Sequence, residues 1–137
     1  MTNKTTGQGQ PGSPASQASV SWTGDTFSGS ASGRTGHLEM DWHRSGNSLA
    51  VRTLRYMITG DGSRNKANIN IVVQGHNGRE WKLNSPDDRK QDGSWHAWDT
   101  YGTLDLGGSR GINVVVVFIF DLSGADDRVT IRKTYNV

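Results

Sequence analysis

Residues 112–122 read Ile-Asn-Val-Val-Val-Val-Phe-Ile-Phe-Asp-Leu, and the fold class follows from them. Ile112, Val114, Val116, Phe118, Phe120 and Leu122 share one parity and suffice for the core face of a strand. The other parity carries Asn113, Val115, Val117, Ile119 and Asp121, where a half-wet strand would be polar. At ~20 residues for a spanning helix, the run is far too short to cross a bilayer, so no transmembrane segment is expected. Leaving Val115, Val117 and Ile119 fully in water would forgo roughly 1.5–3 kcal/mol of burial at each. A second copy of the chain is therefore expected to cover these three residues as an oligomer interface. The alternative is a central strand in a closed barrel or beneath a folded-back loop of the same chain.

Outward from this run, the period of two recurs. Residues 37–44 place Leu38, Met40 and Trp42 on one side and His37, Glu39, Asp41 and His43 on the other. Leu49 and Val51 share a parity that Leu54, Tyr56 and Ile58 reverse, which predicts a β-bulge near Arg52 and Thr53. Residues 67–74 alternate through Ile69, Ile71 and Val73 and then meet Gly75-His76-Asn77-Gly78 before Trp81 and Leu83 resume. Asn77-Gly78 predicts a tight hairpin in which both residues take positive φ. Further breaks at 60–62, 86–93, 107–111 and 123–127 divide the chain into eight or nine short strands, and no stretch has helical spacing of useful length. The expected fold is an all-β antiparallel sandwich, jelly-roll-like.

The chain has 137 residues, of which only 26 are Leu, Ile, Val or Phe, enough for one modest core and one domain. We assign that domain to residues 20–137. Residues 1–19, rich in Gln, Gly, Ser, Thr and Pro, are expected to form a flexible low-complexity tail. They contain no apolar stretch, so no Sec-type signal peptide is expected, and the compartment stays open between the cytoplasm and export by another route. The formal net charge is +2 with basic residues scattered rather than clustered, which is not a nucleic-acid footprint. Absence of Cys excludes disulfides, thiolate metal sites and a cysteine nucleophile. The chain is expected to be soluble, without cofactor or metal.

Two clusters carry candidate chemistry. His37, Glu39, Asp41 and His43 recur every ~6.5–7 Å along one strand face, and two carboxylates at that separation could serve an inverting glycosidase. The wet face of any half-buried strand is made of such residues, and that is the expected reading of this cluster. The second cluster is Trp95-His96-Ala97-Trp98-Asp99-Thr100-Tyr101. Parity counted back from Leu104 and Leu106 turns Trp98 inward and Trp95, Asp99 and Tyr101 outward, unless a bulge at Gly102 exchanges the faces. Flat rings beside a carboxylate suit a sugar, since rings stack on C–H faces and carboxylates accept hydroxyl hydrogen bonds. The expected ligand-binding residues are Trp95, Asp99 and Tyr101, supported by His96 and Arg89. Trp22, Trp42 and Trp81 read as structural. The function expected from this pattern is a non-enzymatic, lectin-like homo-oligomer that binds a glycan. Its rivals are a structural subunit of a shell, fibre or injection assembly, a small membrane-active toxin and, last, an enzyme using Glu39 and Asp41.

Overall fold

The computed structural model describes residues 21–137, so the expected tail at 1–19 and Val20 lie outside it. Eight strands follow in order: β1 (Thr23–Ala31), β2 (Arg34–Ser45), β3 (Ser48–Ile58), β4 (Asn68–Gly75), β5 (Glu80–Asn84), β6 (His96–Asp105), β7 (Gly111–Phe120) and β8 (Asp127–Asn136). They form two four-stranded antiparallel sheets, ordered β1-β2-β3-β6 and β5-β4-β7-β8. The chain passes between the sheets after β3, β5 and β6, whereas β1, β2 and β3 stay together as a meander.

Short turns set the register of that meander. Ser32 (φ 51°) and Gly33 (φ 77°) both take left-handed backbone, the mirror-type turn whose twist matches that of the strands, so Ala31 pairs Arg34 without slack. Gly46 and Asn47 likewise join Ser45 to its partner Ser48. From these two turns, alternation brings Phe27, Leu38, Met40, Trp42, Leu49 and Val51 to the buried side, each at most 3% exposed.

The expected bulge is present. Pairing steps from Met40 with Thr53 to Glu39 with Arg55, which leaves Leu54 as the extra residue. Leu54 is only half-buried, contrary to its parity with Tyr56 and Ile58, and Thr53 is buried instead. The reason is hydrogen bonding. The Thr53 hydroxyl donates to the Trp98 carbonyl and accepts from the Thr100 amide at 3.1 Å, supplying partners that the bulged ladder lacks.

The sheets face each other strand over strand, with β1 over β8, β2 over β7 and β6 over β5. Two contacts show why small residues sit where they do. Gly36 of β2 lies against the ring of Phe118, and Gly102 of β6 lies against the indole of Trp81. Gly102 therefore does not exchange the faces of β6. It pairs regularly with Val51, and its missing side chain is the space Trp81 occupies. The loop at 75–79 also differs in detail from expectation. Gly75 pairs Arg79 across a three-residue turn in which only Gly78 (φ 88°) is left-handed. Asn77 instead spends its side chain, accepting from the Arg79 amide and donating to the Asp105 carbonyl.

β7 is an interior strand of its sheet, and Ile112, Val114, Val116, Phe118 and Phe120 are all fully buried. On its other face Val115, Val117 and Ile119 are half-buried. They register between Val72, Asn70 and Asn68 of β4 and Arg132, Thr130 and Arg128 of β8. Cross-strand neighbours thus shield part of the apolar stripe, so covering it would recover only part of the full burial free energy.

Strands β1 and β8 lie at the same open side of the sandwich. There Asp25, Lys133 and Tyr135 turn inward, an arrangement that discourages further strand pairing. Lys133 donates to Asp25 at 3.2 Å and the Tyr135 hydroxyl donates to the same carboxylate. The Tyr135 hydrogen bond is the main cause that lowers the Asp25 pKa, while burial and that same bond raise the Tyr135 pKa. A depressed carboxyl pKa gives stability that is complete above its unfolded value and is lost as pH falls through the folded one. A raised phenol pKa gives stability that is lost on the alkaline side, above about pH 10. Urea midpoints of wild type and Asp25→Asn should therefore differ by a constant amount from about pH 5 to 9 and converge below about pH 3. A gap that persists unchanged at the acid end would show that the charge on Asp25 contributes nothing.

Candidate functional site

The outer face of the β1-β2-β3-β6 sheet is built from side chains that alternation turns away from the core. On β2 these are His37, Glu39, Asp41 and His43, on β3 they include Arg52 and Arg55, and on β6 they include Asp99 and Tyr101. The regular register beyond the Gly46-Asn47 turn sets Arg52 opposite Asp41, and the bulge at Leu54 sets Arg55 opposite Glu39. Arg52 donates from Nε and Nη2 to the two oxygens of Asp41 at 2.9 and 2.7 Å. Arg55 does the same to Glu39 at 2.9 and 3.0 Å. Both are the planar two-bond pairings that a guanidinium makes and a lysine cannot. Hydrogen bonding to the carboxylate raises the pKa of each arginine further above its already high value.

An indole rests on each guanidinium. The Arg52 Cζ lies 3.6 Å from the centroid of Trp22, and the Arg55 Cζ lies 4.1 Å from that of Trp95. A histidine stands beside each indole, His43 at 5.7 Å from Trp22 and His37 at 6.2 Å from Trp95, between ring centroids. His43 Nδ1 donates to the Ser21 carbonyl, which holds the lead-in segment over the sheet. His37 Nδ1 and the Ser28 hydroxyl are 2.7 Å apart. The face is thus two similar brackets, each an indole on a guanidinium on a carboxylate, side by side on β2 and β3.

Three of the five expected ligand-binding residues share this face. Trp95 is 37% exposed and Tyr101 65% exposed, the two exposed large hydrophobic residues among those described, and Asp99 is exposed between them in sequence. Tyr101 pairs directly with Arg52 across β3 and β6. Arg89 and His96 are elsewhere. The Arg89 side chain is 13% exposed, with its guanidinium over the rings of Trp98 and Tyr56 at 4.9 and 5.1 Å, on the inward side of β6. His96 Nε2 lies 2.9 Å from both oxygens of Asp92, which lowers the Asp92 pKa, and packs on Tyr56 at 5.4 Å. These two residues pin the 85–95 loop to the end of the sandwich, behind the face that bears Trp95.

Of the tryptophans read as structural, Trp42 is core and Trp81 is half-buried, but Trp22 belongs to the outer face. The partnership of Arg52 with Asp41 had a sequence signal that parity alone did not reveal. With Gly46-Asn47 as the turn, a two-residue hairpin puts residue 41 opposite 52. A small cavity of about 160 Å³ opens at one end of the sandwich among Ser21, Thr23, Trp42, His43, Arg44, Asn136 and Val137. It is below the ~300 Å³ at which ligand pockets begin. Among the described residues no group of three or more His, Asp or Glu is placed to hold a metal ion, and no helix is long and apolar enough to cross a membrane. Comparison with protein-family models, curated proteins and solved structures gives no match.

Proposed function

We propose that the chain is a non-enzymatic, lectin-like module that binds carbohydrate on the outer face of the β1-β2-β3-β6 sheet. One observation carries this reading: Trp95, Asp99 and Tyr101 all face solvent on one sheet, with the Trp95 ring supported from below by Arg55. A supported ring has lost rotamer freedom before the ligand arrives, so stacking on a pyranose costs little additional ordering. Asp99 makes no ion pair among the described residues and is free to accept hydroxyl hydrogen bonds. A non-enzymatic role is supported by Glu39 and Asp41, since both oxygens of each are occupied by guanidinium. As acid and base they would first have to leave those partners.

Self-association of such a module would add avidity to weak single sites. The half-buried stripe of Val115, Val117 and Ile119, on the opposite sheet from the binding face, leaves that face clear in an oligomer. The same stripe supports a second reading, a subunit whose role is assembly alone. Glycan-array binding by wild type should disappear in Trp95→Ala and in Tyr101→Ala while the sedimentation coefficient stays unchanged. Large regular particles without binding to any glycan would favour the assembly subunit instead.

A further inference from the structure

The charge and length of the outer face say which glycans fit it, provided that the carbohydrate reading above holds. Each guanidinium spends Nε and Nη2 on its carboxylate, and neither Arg52 nor Arg55 has another hydrogen-bond partner among the described residues. Nη1 of each therefore remains as a donor in fixed position. The positive charge that would accompany it is already balanced. Two arginines on this face meet four carboxylates, Glu39, Asp41, Asp99 and Asp105, and the last is paired only loosely with Arg79, at 3.9 Å. Lys82, Arg128 and Arg132 stand instead on the other sheet's outer face.

An anionic chain would thus meet net negative charge and gain no counterion release, whereas a hydroxyl-bearing neutral chain finds donors, acceptors and rings together. The length of the site follows from the two brackets. Because the bulge absorbs Leu54, Arg52 and Arg55 stand opposite Asp41 and Glu39, two residues or about 7 Å apart on β2. Their indoles lie further out, beside His43 and His37, which are on the order of 20 Å apart along the strand. That separation exceeds one sugar ring. We propose that the ligand is an uncharged oligosaccharide or polysaccharide laid across both brackets, with Trp22 as a second stacking platform beside Trp95, and Arg52 and Arg55 donating from Nη1.

Isothermal titration with uncharged gluco-, manno- and N-acetylglucosamine oligomers, from monomer to hexamer, and with heparin and polygalacturonate tests this. Affinity should rise steeply between monomer and trimer or longer, stay nearly constant as salt is raised, and be absent for the two polyanions. Trp22→Ala should weaken the long oligomers by about tenfold and lower the thermal unfolding midpoint by only a few degrees, because Trp22 precedes β1 and lies outside the core, with its contact to Arg52 the main loss. Trp22→Phe, which retains a ring, should keep most of the affinity. Tight binding confined to the polyanions with a strong salt dependence would overturn the neutral-chain assignment while leaving carbohydrate binding intact. Equal affinity for monomer and hexamer, or indifference to Trp22→Ala, would overturn the two-bracket site. Failure of every sugar to bind would instead remove the carbohydrate reading itself.

Discussion

A Gly36→Ala variant should lose about 2–3 kcal/mol of folding stability, the cost of forcing one methyl group into a filled core. A Cβ at Gly36 would stand 2.6 and 2.7 Å from Cε1 and Cγ of Phe118, and closer still to Cδ1. The ring cannot swing aside, because Phe118 is fully buried and stacks parallel to Phe120 at 6.1 Å. Nor can the backbone yield easily, since Gly36 is paired on one side with Gly29 and on the other with Ile58. Phe118→Ala alone should cost about 3–5 kcal/mol through lost burial and the cavity left behind. The two sites share one volume, so Gly36→Ala combined with Phe118→Leu should be more stable than the sum of the single losses by about 1 kcal/mol. Urea denaturation of wild type, Gly36→Ala, Phe118→Leu and the double variant measures this directly. Strict additivity would mean that the two residues do not compete for the same space.

The second large effect is expected at Gln91, which is 1% exposed and belongs to the 85–95 loop rather than to a strand. Its Nε2 donates to the Arg64 carbonyl at 3.1 Å and to the Asp121 carbonyl at 2.9 Å, and its Oε1 accepts from the Asp121 amide at 2.9 Å. One side chain thus ties three segments together and satisfies buried backbone groups at the end of β7. Gln91→Glu keeps the shape but places an oxygen against two carbonyl oxygens, so the folded protein must hold the new carboxyl protonated. Its folded pKa is then raised, and the contribution present below the unfolded value is lost as pH rises. At pH 7 the loss should approach about 3.5 kcal/mol, the free energy of protonating a carboxyl of ordinary pKa at that pH. Near pH 4 most of it should be recovered. Thermal melting of wild type and variant across this range is the measurement, and a deficit independent of pH would show that the site admits water or relaxes around the charge.

Much of the sandwich was legible because strand parity is local. The alternation through residues 112–120 marked the buried strand and the stripe on its back, and the reversal between Val51 and Tyr56 marked a bulge within two residues of Leu54. The outward position of Trp95, Asp99 and Tyr101 came from the same counting. Parity could not show that Thr53 would replace Leu54 inside, because that exchange depends on the Trp98 carbonyl and the Thr100 amide of a strand forty-odd residues away. Arg89 and His96 were grouped with Trp95 through nearness in sequence, yet the loop carries them to the opposite side of β6, where Tyr56 and Trp98 receive them.

Trp22 shows the same division most clearly. Its alternation with Val20 reads as structural rather than marking it for the surface, yet it precedes the first strand and turns to the outer face. Its place over Arg52 follows from a hydrogen bond between His43 and the Ser21 carbonyl and from the regular hairpin register that sets Arg52 opposite Asp41. The sequence by itself determined which residues are strand, which face of each strand is apolar and where the turns fall, since these depend on φ preferences and a two-residue period. Only the tertiary structure decided that the two carboxylates of β2 are each held by an arginine under a tryptophan, because such brackets need side chains from several elements to meet, and their meeting is set by sheet pairing and loop path rather than by any local preference.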